Sequence, residues 1–112
     1  MSGEMKVLQE ETLAEATFSH QLYEISDTVR NADFYILTKG ENSGRVEKEA
    51  GANTVGVKVN RKALVPDYLK YVVEHLFTSG LFKSKLKGSA VPYVKVSDIN
   101  DLIIDFFRKQ QR

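Results

Sequence analysis

The side-chain types that most often do chemistry are sparse in this chain and widely spaced. Cysteine is absent, which removes disulfide frameworks, thiolate zinc sites and cysteine nucleophiles together. The two histidines, His20 and His75, fall in different expected elements, without a second metal ligand or a serine at a spacing that suits a triad. Both read as half-exposed surface residues. Asp33, Glu47 and Glu49 are acids that a magnesium-dependent nuclease could gather, but the local run of acid, spacer and lysine is missing, and loop solubility accounts for them. Asp67 is explained by helix capping. The turn KGENSGR, residues 39–45, spaces its glycines too closely for a phosphate-binding loop and lacks the lysine–hydroxyl pair that reaches phosphates and magnesium. No catalytic residue, metal or cofactor is expected, and the chain reads as non-enzymatic.

Donors and cations collect instead in three groups, each following an expected core element. The first is Lys39, Asn42, Ser43 and Arg45, where Gly40 and Gly44 let the backbone approach a partner; a plain hairpin-like turn would look similar. The second is Lys58, Asn60, Arg61 and Lys62 at the exit of a valine-rich strand, which reads as a phosphate contact or as a strand edge protected by charge. The third is Lys83, Lys85 and Lys87, followed by Gly88, Ser89, Tyr93 and Lys95. In an extended segment those three lysines share one side, and in a helix they fan out. Tyr93 either continues the polar, aromatic character or sits in the core with its hydroxyl at the rim. The cations suit phosphates, while Asn42, Asn60, Ser89 and Tyr93 suit base edges.

Charge is distributed to match. Residues 1–30 carry two basic and six acidic groups, residues 31–57 three and four, and residues 58–112 eleven and five, so the net +1 conceals a basic C-terminal half. A half of that kind can hold a polyanion by releasing condensed counterions.

The elements that must position these groups are legible in outline. With no repeat or linker, residues 1–112 read as one α+β domain with a mixed sheet, one well-signalled amphipathic helix and long loops. Met5, Leu8, Leu13 and Ala16 suggest a short acidic helix, followed by a strand through Phe18, His20 and Leu22. Strands are expected at Phe34 to Thr38, before a loop from Glu41 to Ala52, and at NTVGVKVNR, whose Val55, Val57 and Val59 share a face, leaving Gly56 on a face that is open or closely approached. The helix is VPDYLKYVVEHLFTSG, with Pro66 at its first position, Asp67 in its first turn, a buried stripe of Leu69, Val72, Val73, Leu76 and Phe77, and Gly80 at its C-terminal cap. PYVKV reads as a strand, Ser97 as a cap for one helical turn at Asp98 to Asp101, Leu102 to Phe107 as a final strand, and RKQQR as a frayed end. The N-terminus lacks the pattern of a signal peptide, and no window is long and apolar enough to span a bilayer. A soluble, cytoplasmic protein with no membrane partner is expected.

Taken in order, ADFYILTKGENSGRV, NTVGVKVNRKALVPDYLKYVVEHL and KGSAVPYVKVSDINDLIIDFF resemble the target-recognition domain of type I restriction-modification specificity subunits. The matching residues are Lys39, Gly40, Asn42, Gly44 and Arg45; Pro66, Tyr68 and Leu69; Gly88 and Ser89; and Leu102 with Ile104, within residues 32–107. The resemblance implies a domain that reads half of a bipartite site in double-stranded DNA, while other subunits methylate and cleave. The family's loop commonly has a glutamine soon after Gly-Ser, where this chain has Ala90, Val91 and Pro92, so one base reader is missing. RKQQR stands where a proline-rich exit and spacer helix normally follow, and the N-terminal portion looks shortened. The expectation is a solitary relative, of phage or mobile-element type, that binds DNA. The alternative is an adaptor or competitor that docks on restriction-modification subunits or on a second copy of itself.

Overall fold

The computed structural model describes residues 21–88 and 90–110. In chain order these form β1 (Tyr23–Ser26), β2 (Phe34–Leu37), β3 (Val46–Glu47), β4 (Thr54–Val59), α1 (Pro66–Thr78), a 3-10 turn (Lys83–Lys85) and α2 (Val96–Gln110). The strands lie in the order β1, β4, β2, β3, and each neighbouring pair is antiparallel. The class is α+β as expected, with an antiparallel sheet in place of a mixed one.

Strand alternation sorts the sheet into two faces. Tyr23 lies opposite Val59, Ile25 and Phe34 opposite Val57, and Ile36 opposite Val55 and Val46. These residues form the inner face, whose buried members join the core with Leu69, Val72, Val73 and Leu76 of α1, Ile99, Leu102 and Ile103 of α2, and Phe82 and Val94 from the connections. Fully burying a side chain of this size contributes roughly 1.5–3 kcal/mol, so this shared face holds the helices to the sheet. The outer face carries Glu24 opposite Lys58 and Tyr35 opposite Gly56. A Cβ on Gly56 would stand 3.0 Å from the Cβ of Ala32 and 3.3 Å from the Tyr35 ring, so that face is closely approached there.

α1 follows its signals. Pro66 opens it, Asp67 lies in its first turn, and Gly80, at φ +84°, ends it as the amide of Leu81 donates to the Leu76 carbonyl across the last turn. The C-terminal region departs from expectation, because one helix replaces the short turn and final strand. Ile99, Leu102 and Ile103 sit three and four positions apart and are all buried, a spacing that a helix satisfies and a two-residue repeat does not. Ser97 therefore lies inside α2, and the Asp98 carboxylate accepts the amide of Lys95 at 3.4 Å, the return arm of a capping box. Arg108, Lys109 and Gln110 continue the helix instead of fraying.

Three smaller corrections follow the same lines. Gln21 and Leu22 are helical, so the first described strand begins at Tyr23. The expected helix over Met5 to Ala16 lies outside the described residues, as do Phe18 and His20 of the expected strand. The loop from Glu41 to Ala52 contains β3, and PYVKV makes isolated bridges at Tyr93 instead of a full strand. Among the described residues, no helix is long and apolar enough to cross a membrane.

Candidate functional site

Beyond Leu37 the β2 chain runs on past the start of β4. Thr38 donates its amide to the Asn53 carbonyl and accepts the amide of Val94 on its own carbonyl, both at 2.8–2.9 Å. Both groups of one extended residue point to the same side, so residues 92–94 pair with this extension just beyond the point where β4 has left it. Gly40 donates to the Pro92 carbonyl, which completes a bridge with Lys39 opposite Tyr93. On its other side Tyr93 exchanges both backbone bonds with Lys87, at 2.9 and 3.0 Å. Tyr93 is thus the centre of a three-chain ribbon, with Lys39 and Lys87 directly opposite it.

Opposed residues in an antiparallel bridge project to the same face. The Lys39 pair is of the type without direct backbone bonds, with Cα atoms about 4.5 Å apart, and the Lys87 pair is of the bonded type, about 5.5 Å apart. Val94 turns into the core, so its neighbour Tyr93 turns outward, where it is 36% exposed. The result is a solvent-facing row of lysine, tyrosine and lysine roughly 10 Å across. Gly88, at φ +87°, makes room for it: a Cβ there would stand 2.6 Å from the Val91 carbonyl oxygen and 3.2–3.3 Å from the Tyr93 ring.

The supports of this row come from the two loops that carry the first and third groups of donors. Ser43 is buried and donates to the Gly40 carbonyl at 2.7 Å. Gly44, at φ +103°, lies so close to Phe82 that a Cβ would overlap its ring, which clamps the 39–45 turn onto the segment before the 3-10 turn. Asn42 is exposed, and Arg45 pairs with Glu47 at 3.0 Å. Lys83 and Lys85 fan out from the 3-10 turn instead of sharing one side. Ser89 lies outside the described residues. Lys39, Lys83, Lys85, Lys87 and Lys95 have no side-chain hydrogen bond or ion pair among the described residues, and Glu41 is the exposed acid of the neighbouring turn.

The second group stands apart. Lys58, within β4, and Asn60, Arg61 and Lys62, just after it, lie at the C-terminal end of that strand, beside the N-terminal ends of β1 and β2 and at the opposite end of the sheet from the row. Two of them serve the fold. Arg61 pairs with Asp33, whose other oxygen accepts the amide of Val59 at 2.7 Å. Asn60 donates to the Gln21 carbonyl and accepts the amide of Lys62. Lys58 faces Glu24 across the strands, and Lys62 is exposed.

One polar pair escaped the sequence reading. Tyr23 is buried, and its hydroxyl donates to Asn100 Oδ1 at 2.5 Å, beside an open cleft lined also by Glu24, Ser26 and Val29. Burial, and secondarily the nearby charge of Asp101, pushes the phenol well above its ordinary range. The expected alternation through Phe18, His20 and Leu22 sets Tyr23 on the other face, so its burial departs from that expectation, and nothing local marks Asn100 as its partner. Among the described residues no group of three or more histidines or acids is placed to hold a metal ion.

A family model described as "Family of unknown function (DUF6943)" matches residues 21–112. No curated protein and no solved structure matches the chain.

Proposed function

We propose, for a chain that belongs to the DUF6943 family, a non-enzymatic DNA-binding role centred on the row of Lys39, Tyr93 and Lys87. The observation that carries the reading is that two loops distant in sequence, each rich in donors, are joined by backbone bonds so that lysines without a partner among the described residues flank an exposed aromatic ring. Ammonium groups so placed suit phosphates, and the tyrosine between them can touch bases or sugars. Lys83, Lys85 and Lys95 add charge from adjoining segments. Two of the segments that resemble specificity-subunit recognition domains, the 39–45 turn and the loop at Gly88, meet at this row, whereas Leu102 and Ile104, which match that family's terminal strand, lie in α2. A chain without cysteine also suits a cytoplasmic setting.

A fluorescence anisotropy titration with random-sequence duplex DNA at two salt concentrations tests the proposal. Binding that weakens steeply with salt is expected. Failure of both this duplex and its separated strands to bind, even at low salt, rejects it.

A second reading, a protein-interaction module, is favoured by the face of α1, where Val65, Tyr68 and Tyr71 are exposed, Tyr71 at 70%. Such a module would dock on a protein partner or a second copy. Light scattering that reports a monomer at high concentration would count against the self-association form.

A further inference from the structure

We infer that the row takes an unpaired nucleotide, with the base stacked on Tyr93 and its flanking phosphates held by Lys39 and Lys87; this rests on the DNA-binding reading and specifies its ligand. The geometry departs from a generic basic patch in three respects. The ring sits between the two cations, each about 4.5–5.5 Å away along the row at the Cα level, so a base lying on the ring brings its own phosphates within reach of both ammonium groups. The backbone of Tyr93 is held from both sides, and Gly88 seats the Cδ1–Cε1 side of the ring, so little freedom is lost when a base arrives. Val91, exposed at 59%, adds apolar surface to the same loop.

The base partner follows from where π-faces are available. Inside a duplex each base is covered above and below by its neighbours, so an outward-facing ring on a shallow ribbon can reach only edges and backbone. An unpaired base offers a whole face, and aromatic rings beside cations hold single strands in this way without needing a particular sequence. The glutamine that would read a base edge in the resembling family is replaced here by Ala90, Val91 and Pro92, side chains that offer no hydrogen bond to an edge.

The test compares a fluorescein-labelled single-stranded oligodeoxynucleotide with its blunt duplex at one salt concentration, using the full chain and the variants Tyr93→Phe, Tyr93→Leu and Tyr93→Ala. Leucine keeps bulk over Gly88 while removing the π-face, and circular dichroism verifies that each variant is folded. Tighter binding of the single strand is expected, with a loss of roughly 10- to 100-fold for Leu and Ala and little change for Phe. Equal or tighter binding of the duplex, or an equal loss for both forms on Tyr93→Leu, overturns the inference and leaves the DNA-binding reading standing. Binding of neither form overturns both.

Discussion

A tyrosine buried at 2% exposure needs an acceptor for its hydroxyl, and Tyr23 reaches across to α2 to find one in Asn100. Replacing Tyr23 by Phe keeps the ring and removes the bond, so a loss of about 1 kcal/mol in urea unfolding is expected. The pH dependence has a definite sign. The folded chain holds this phenol neutral to higher pH than the unfolded chain does, so stability from this group is intact below about pH 10 and falls as pH rises beyond it, because the unfolded state releases a proton that the folded state retains. Urea midpoints measured from neutral to strongly alkaline pH should fall more steeply in the parent than in Tyr23→Phe. Tyr93 shows the opposite use of the same side chain. Its ring is partly exposed and its hydroxyl has no partner among the described residues, which leaves it available to a ligand.

At the scale of elements, the sequence is most readable where signals are local. α1 was marked by Pro66, Asp67, its apolar stripe and Gly80, and β4 by the alternation of its valines. α2 departs from the expected strand because LIIDFF is rich in β-branched and aromatic residues, whose strand preference is set by context; the three-four spacing of Ile99, Leu102, Ile103 and Phe106 is the local signal of the helix. The two donor loops were each visible, but their union was not. A bridge between Lys39 and Tyr93 is a non-local pairing, decided by where β2 and the α2 entry are carried by the core, and it leaves no periodic trace in either segment. Two glycines should show how tightly that union is built. Gly44→Ala combines a positive φ with overlap onto Phe82, and denaturant unfolding should show a loss of about 2–4 kcal/mol. Gly88→Ala meets the Val91 backbone; a loss of about 1–3 kcal/mol is expected, together with weaker DNA binding, because the Lys87 bridge to Tyr93 must shift.

Across the whole molecule, the arrangement separates two kinds of basic surface that looked alike in sequence. At one end of the sheet Arg61 and Asn60 tie β4 to Asp33 and Gln21, and Lys58 faces Glu24, so the cations there share their surface with acids and fold contacts. At the other end the lysines around Tyr93 are unpaired among the described residues and project from a rigid ribbon. The proposed DNA contact therefore falls at one end only, and the net charge of the C-terminal half does not by itself say which. The most direct measurement is the dependence of duplex DNA affinity on salt for the parent, for Lys39→Ala with Lys87→Ala, and for Lys58→Ala with Lys62→Ala as the control from the far end. Each phosphate contact contributes roughly 0.9 to the slope of log K against log salt, so the first double variant should flatten the slope by about 2, while the control leaves it nearly unchanged. Equal flattening by the two double variants, or a slope altered only by the control, would contradict the assignment of DNA contact to the Lys39, Tyr93 and Lys87 row.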